Sequence, residues 1–181
     1  MAEERLILVD EHNRAIGSAG KTAVHRAGLL HRAFSIFIID ARRRIVIQRR
    51  SLQKYHSGGL WANSCCGHPR LGERTITAAR RRLDEELGIN SALSFGFFAR
   101  YQTALDKGMH ENEFVYVYFG RLTANPQPDP AEVSGIAHMS CEQIGREMKR
   151  EPDQFTYWFK HYFHKHRGDI ARLARQTIPS I

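Results

Sequence analysis

The stretch that decides the fold is GHPRLGERTITAARRRLDEELGI, residues 67–89. Within it, Thr75–Leu87 repeats apolar residues at the period of an amphipathic helix. Gly88 follows and can take the left-handed backbone conformation at which such a helix ends. The opposite side of the helix carries charged residues three and four positions apart, which share one face: Arg82, Glu85 and Glu86.

Immediately before this helix, WANSCCGHP (residues 61–69) places a thiol and an imidazole close together. Gly67 can adopt backbone angles that a side chain forbids, and Pro69 restrains the exit. Cys66 and His68 are therefore expected to be presented from a defined turn. Taken alone, this segment also fits a buried cysteine pair beside a surface histidine, because free cysteine is among the most buried residue types.

Runs of β-branched and aromatic residues predict strands on both sides of the helix: Leu6–Val9, Ala15–Gly20, Phe34–Ile39, Ile45–Gln48, Phe95–Tyr101, Glu113–Phe119 and Ile136–Met139. The segment from residue 21 to residue 31 shows no clean period and is expected to be irregular. A capping-box pattern at Ser140–Gln143 predicts one further helix, and Pro152 is expected to begin another. This order of elements predicts a mixed α+β sandwich, and the length of 181 residues fits a single domain spanning residues 1–181.

The composition indicates the cellular location of the protein and the kind of partner that it binds. The formal net charge is +8 and the arginines are clustered, so an anionic partner is expected. Three cysteines, two of them adjacent, make a poor disulfide framework. Neither an apolar signal segment at Met1–Asp10 nor an apolar run of about 18 residues is present, and the sequence therefore predicts a cytoplasmic location with no membrane partner.

Residues 67–89 resemble the Nudix box, G-x5-E-x7-R-E-U-x-E-E-x-G-U, where U is a bulky aliphatic residue. They match every defined position except one, because Arg82 stands where the box has glutamate. The resemblance implies a Nudix-like α/β/α sandwich with a mixed sheet, and carboxylates that hold divalent cations against a diphosphate. Arg82 is expected to weaken a cluster of several metals while adding a planar ligand for the diphosphate.

Further motifs are similar to those of the type 1 isopentenyl-diphosphate isomerases, and this resemblance covers most of the chain. Asn63–Pro69 matches that family's cysteine turn, with Cys66 in the catalytic position, and Glu111–Glu113 matches its Glu-Asn-Glu motif. One departure is Gly58-Gly59, where many relatives have Pro-Gly. Without the proline, the sequence does not predict how stiff the loop after Lys54 is.

The resemblance implies a metal-dependent enzyme that interconverts isopentenyl and dimethylallyl diphosphate in isoprenoid synthesis. Its catalytic residues would be Cys66, Glu113, Tyr101 and Trp158. Its diphosphate-binding residues would be Lys21, Arg50, Lys54 and Arg82. Its metal ligands would be His25, His31, His68, Glu111 and Glu113, with Glu86 holding a second ion, Mg²⁺. The first ligand set suits Mn²⁺ or Mg²⁺. Zn²⁺ accepts the same types of ligand, so it stays an alternative.

The chemistry of a double-bond shift agrees with these assignments, because an acid and a base must face each other across the substrate. Cys66 can serve as the base if nearby cations lower the pKa of its thiol, and Glu113, assisted by Tyr101, can serve as the proton donor. Which of the two acts first stays open. Trp158 can stabilise a carbocation with its ring face, although its helical spacing fits a core residue equally well. Water must also be excluded from such an intermediate.

Two other classes compete with the isomerase. A Nudix hydrolase of nucleoside diphosphate derivatives would explain the box, but Arg82, Cys66 and the Glu111/Glu113 pair argue against it. A basic nucleic-acid-binding module would leave the carboxylates unexplained, so we expect a small diphosphate substrate and no nucleic acid. The chain is expected to be a monomer or a weak homodimer. The remaining histidines are expected to be ordinary surface or core residues: His12, His56, His110, His138, His161, His164 and His166.

Overall fold

We describe the protein from a computed structural model whose described part is residues 3–177. Its strands are β1 (Arg5–Val9), β2 (Ala15–Gly20), β3 (His31–Ile39), β4 (Ile45–Arg50), β5 (Trp61–Ala62), β6 (Cys65–Gly67), β7 (Leu93–Ala104), β8 (His110–Arg121) and β9 (Val133–Met139). Its α-helices are α1 (Lys21–Ala27), α2 (Thr75–Leu87), α3 (Cys141–Arg150), α4 (Tyr157–Lys165) and α5 (Arg167–Thr177).

One mixed sheet organises the fold, and β3 is its hub. β3 pairs in parallel with β8 and antiparallel with β1, β4 and β6. β8 also pairs with β7, so it lies inside the sheet with a partner strand on each side. Alternate residues of β3 enter two separate cores, Phe37 on the side of α3, α4 and α5, and Ile36 on the side of α2. The sheet is therefore covered on both faces, and the predicted α+β sandwich with a mixed sheet is confirmed.

The helix in the segment that decides the fold has the predicted bounds. α2 runs from Thr75 to Leu87 and buries Leu83 and Leu87 against the sheet. Gly88 ends it at φ 61°, and its amide donates to the carbonyl of Asp84 at 2.8 Å. Glycine suits this position because a side chain would be strained in the left-handed conformation.

Two predictions of local structure were wrong. Residues 21–31 were expected to be irregular, but Lys21–Ala27 form α1, a helix of seven residues. A helix this short shows too few turns for a period to be visible, and its contacts with the sheet stabilise it. The helix expected from Pro152 begins instead at Tyr157, because Pro152–Gln154 form a 3-10 turn and Phe155 forms a bridge to Trp61.

Candidate active site

Strand register brings the central residues of the site together. In the parallel pair β3 and β8, His31 lies opposite Glu113. In the antiparallel pair β7 and β8, Tyr101 lies opposite the same Glu113. Ser35 of β3 lies opposite Cys66 of β6. Backbone pairing thus places the predicted thiol, carboxylate and tyrosine at one end of the sheet.

Four buried side chains form a compact set of metal-ligand atoms, all within 4.8 Å of one another: His25, His31, His68 and Glu113. The Nε2 atom of His68 lies 3.0 Å from Oε1 of Glu113, and Nε2 of His31 lies 3.5 Å from the same oxygen. Burial alone would raise the pKa of Glu113, but its contacts with the two histidines hold that pKa well below the usual value. Glu113 is therefore a carboxylate.

Hydrogen bonds set the tautomers of two of these rings. Nδ1 of His25 lies 2.8 Å from the carbonyl oxygen of Lys21, and Nδ1 of His31 lies 2.8 Å from that of Leu29. A carbonyl oxygen only accepts, so each Nδ1 carries the hydrogen and each Nε2 presents a lone pair to the cluster. This is the usual orientation of metal-binding histidines. The donor set therefore fits a divalent cation.

Glu111, the fifth predicted ligand, is displaced from the other four. Its Oε2 lies 3.5 Å from Nε2 of His25, and within residues 3–177 no hydrogen-bond donor reaches that buried oxygen. Its Oε1 lies 3.2 Å from Nε2 of His56. His25, His56 and Glu111 form a second set of potential ligands that shares His25 with the first.

His56 was missed as a site residue by sequence reasoning. It was expected to be an ordinary surface or core residue, yet it is 2% exposed and contacts Glu111. Its Nδ1 lies 3.2 Å from the Ser57 hydroxyl, and its ring meets the Trp158 ring edge-on at 5.9 Å. The local signal was weak, because a single histidine in a loop carries no period or motif.

The Cys66 thiol is held by hydrogen bonds from two sides. Both amide hydrogens of Asn63 are used, by the carbonyls of Ile36 and Cys65, so Asn63 Oδ1 accepts from the thiol at 3.2 Å. The hydroxyl of Ser35 lies 3.3 Å from the sulfur. Burial raises the pKa of Cys66 to about 12, and these hydrogen bonds only partly oppose the shift. Desolvation outweighs the nearby cations, so the lowered pKa that the role of base would require of this thiol is not met.

The Trp158 side chain is both a core residue and part of the site wall. It lies on α4, is 3% exposed, packs in the core between this helix and the sheet, and also lines the cleft. The guanidinium of Arg50 lies over its ring at 5.2 Å from the centroid. The ring face is therefore a binding surface for positive charge.

The predicted diphosphate-binding residues line a cleft of about 990 Å³ that also contains Cys66 and Glu113. Three of these cations are paired with carboxylates: Lys21 with Glu4, Lys54 with Glu132, and Arg82 with Glu85, Glu86 and Glu132. Glu132, which sequence reasoning also missed, joins two of them. Burial lowers the pKa of Lys54 to about 8, partly opposed by the charge of Glu86.

Comparison with known proteins decides the family. Residues 29–159 match the NUDIX domain. The chain is 48% identical to the isopentenyl-diphosphate Delta-isomerase of Serratia proteamaculans over 87% of this chain and 88% of that one. It is 46% identical to the isopentenyl-diphosphate Delta-isomerase of Burkholderia multivorans, over 87% and 89% of the two chains. The chain belongs to the isopentenyl-diphosphate Delta-isomerase family.

A crystal structure from Deinococcus radiodurans shares the fold, with a TM-score of 0.70 over 97% of this chain and 100% of that chain at 22% identity. The family assignment confirms the predicted isomerase class over the hydrolase that the box alone allowed. In this isomerase, the exceptional Arg82 of the box forms ion pairs with Glu85 and Glu86 of its own helix. No helix within residues 3–177 is both long and apolar enough to cross a membrane.

Proposed function

We propose that Cys66 and Glu113 are the proton-transfer pair with which this isomerase interconverts isopentenyl and dimethylallyl diphosphate. The observation that carries the proposal is that both groups line one cleft together with Lys21, Arg50 and Lys54. A substrate whose diphosphate is bound by these cations would have its short hydrocarbon end beside the thiol and the carboxylate.

The protonation states suit a 1,3-proton shift. The thiol donates to Asn63, whereas Glu113 accepts a hydrogen bond from the Tyr101 hydroxyl, so the pair holds one transferable proton. One member delivers a proton to the terminal alkene carbon, and the other removes a proton from the allylic methylene. The roles exchange in the reverse direction, as a reversible reaction requires.

Tyr101 and Trp158 complete the reacting end of the cleft. Tyr101 is 6% exposed and its hydroxyl orients the Glu113 carboxylate. Trp158 offers a ring face to a carbocation, which a desolvated aromatic ring stabilises by about 2 kcal/mol. Water would trap such an intermediate, and the low exposure of Tyr101 and Trp158 favours its exclusion from the reacting end.

The histidine and glutamate cluster suits a divalent ion. With Glu111 beside its four members it offers five ligands, so we assign it Mn²⁺ or Mg²⁺ in preference to four-coordinate Zn²⁺. This ion would be held by His25, His31, His68 and Glu113, with Glu111 beside them. A second ion, Mg²⁺, would be held against the diphosphate by Glu86. Such ions would supply positive charge that neutralises the diphosphate and fixes the Glu113 carboxylate.

The assay that tests the proposal is incubation with isopentenyl diphosphate and Mg²⁺ in D₂O. We expect dimethylallyl diphosphate that carries deuterium and retains its diphosphate. Release of phosphate from nucleotides, without labelled product, would instead support a Nudix hydrolase. The single-domain organisation over residues 1–181, the monomeric or weakly dimeric state and the cytoplasmic location remain predictions.

A further inference from the structure

The Glu132 side chain brings a negative charge into the predicted diphosphate site. Its Oε1 accepts a hydrogen bond from the Arg82 guanidinium at 3.1 Å, and its Oε2 is paired with the ammonium group of Lys54. The side chains of Lys54 and Glu132 are 17% and 24% exposed. Both oxygens of one carboxylate are therefore bound by two of the cations that the proposed function assigns to the substrate.

The backbone at Glu132 is fixed by hydrogen bonds on both sides. Its amide donates to the carbonyl of Asp129 at 2.9 Å, and its carbonyl accepts from the amide of Ser51 at 2.9 Å. The amide of Asp129 donates to the carbonyl of Glu86 at 3.0 Å, which joins this turn to α2. The carboxylate can therefore leave the two cations by rotation of its side chain, without movement of the turn that carries it.

Arg50 differs from Lys54 and Arg82 in this respect. Its Nε is buried, and in the described part of the chain this nitrogen has no hydrogen-bond partner. Its guanidinium lies over the Trp158 ring, which places it toward the reacting end of the cleft. An arriving phosphoryl group therefore finds a free donor on Arg50, whereas at Lys54 and Arg82 it has to replace the carboxylate of Glu132.

A carboxylate and a phosphoryl group compete for the same donors. Each offers several oxygen acceptors to an ammonium group, and a guanidinium pairs bidentately with either. A diphosphate carries more negative charge and more oxygens than one carboxylate, so it can displace Glu132 where a weaker anion cannot. A site that holds its own competing anion therefore selects against weak ligands.

We propose that the carboxylate of Glu132 occupies the position of a substrate phosphoryl group between Lys54 and Arg82, and that the diphosphate displaces it on binding. The inference rests on the proposed function, which assigns these two cations to the diphosphate. Every anion that uses Lys54 and Arg82 has to displace the carboxylate, so Glu132 determines which anions enter the site. Before substrate binds, the same carboxylate stabilises the fold by neutralising neighbouring positive charges.

This role predicts that loss of the carboxylate changes binding and stability in opposite directions. Glu132→Gln removes the charge and nearly keeps the shape of the side chain. Anions should bind more tightly because their competitor is gone, whereas the folded state should be less stable because Lys54 and Arg82 repel each other. A carboxylate that only orients the two cations for the substrate would instead make the variant bind anions more weakly.

The experiment measures the Kd of inorganic pyrophosphate by isothermal titration calorimetry on the metal-loaded enzyme at one fixed concentration of Mg²⁺. We expect Glu132→Gln to lower this Kd by about fivefold or more, because charged hydrogen bonds in a partly buried site no longer have to be broken. Without pyrophosphate, the melting temperature of the variant should fall by about 2 °C or more. Saturating pyrophosphate should raise that temperature by more than it does in wild type.

Two further variants control the measurement. Glu11→Gln removes the same charge from a side chain that is 78% exposed and lies outside the cleft, and it should leave the Kd of pyrophosphate unchanged. If Glu132→Gln does not fold, Glu132→Asp carries the test. It keeps the charge on a shorter side chain that reaches Lys54 and Arg82 less well, so it should also lower the Kd, by a smaller factor.

Three results would overturn the proposed competition. One is a higher Kd for pyrophosphate in Glu132→Gln, which would make the carboxylate a support for the two cations. Another is an unchanged Kd, which would show that the carboxylate does not have to leave. The third is equal tightening in Glu11→Gln, which would assign the effect to the overall charge of the protein. Failure of the proposed function would look different, because the wild type would form no labelled dimethylallyl diphosphate while pyrophosphate still bound more tightly to Glu132→Gln.

Discussion

The Nε2 atom of His31 lies 3.2 Å from the Nε2 atom of His68 in the buried interior of the site. His31 carries its hydrogen on Nδ1, so a lone pair points at the second ring and at the carboxylate of Glu113, 3.5 Å away. Burial lowers the pKa of His68 to about 4, so its ring is neutral at physiological pH. Such a concentration of donor atoms is stabilised by a cation placed among them.

Metal removal should therefore destabilise the protein. An ion present at a hundredfold excess over its Kd stabilises the folded state by about 2.7 kcal/mol, and chelation removes this contribution. We expect a lower melting temperature after dialysis against a chelator, and recovery on addition of Mn²⁺ or Mg²⁺. Thermal denaturation together with elemental analysis checks this. A protein that contains no metal as purified, and that melts at the same temperature with and without added ions, would contradict it.

His56 should support metal binding through Glu111. Its Nε2 lies 3.2 Å from the Glu111 carboxylate, and loss of a residue that orients a ligand typically weakens metal affinity by about 10-fold to 100-fold. His56→Ala should show this loss in a metal titration, whereas His56→Gln, which keeps an amide donor, should retain most of the affinity. The exposed His164 provides a control in His164→Ala. Equal affinity in all variants would remove His56 from the site.

Cys66 and its neighbour Cys65 provide a matched pair of thiols. Cys66 lines the cleft, whereas Cys65 is fully buried in the core beneath α2. Cys66→Ala should lower turnover by about 100-fold or more, the usual contribution of a proton-transfer group, with an unchanged circular dichroism spectrum. Cys65→Ala should keep turnover near wild type. Retained activity in Cys66→Ala would show that another group transfers the proton.

Glu113→Gln should also abolish turnover, because the amide can neither take nor deliver the proton. Glu113 is also a predicted metal ligand, so metal content must be measured alongside activity. Tyr101→Phe provides a milder variant, since it leaves the carboxylate in place and removes only its hydrogen-bond donor. Full activity in Glu113→Gln with its metal bound would place the proton-transfer role elsewhere.

Arg82→Glu restores the glutamate of the Nudix box and should weaken substrate binding. Loss of a charged hydrogen bond costs about 1.5–3 kcal/mol, or roughly a 10-fold to 100-fold rise in KM for isopentenyl diphosphate. The control is Arg80→Glu, which makes the same charge change at an exposed position of the same helix. If saturation kinetics are unchanged in Arg82→Glu, Arg82 does not bind the diphosphate.

Lys54 should give the enzyme a pH-dependent affinity. Its pKa is lowered to about 8 by burial, so the side chain is charged below that pH and neutral above it. A neutral amine attracts the diphosphate less, and kcat/KM should fall as the pH rises through about 8. Lys54→Arg keeps its charge over this range and should remove that part of the decline. The same fall in both enzymes would assign it to another group.

The sequence by itself determined the elements whose signals are local. The apolar period from about residue 75 to residue 87 and the glycine after it predicted α2, since helix periodicity and the end of a helix depend on near neighbours. The motif around Cys66 and the Glu111–Glu113 motif, with the single exception at Arg82, were enough to indicate the isomerase family, which the comparisons confirmed.

Only the tertiary structure decided what surrounds each reactive group. The register between β3 and β8 places His31 beside Glu113, and a shift of one residue would turn either side chain away. Burial of Cys66 raises its pKa, and the sequence could not predict this direction because desolvation depends on atoms from distant segments. For the same reason, His56 and Glu132 were recognised as site residues only from the folded structure.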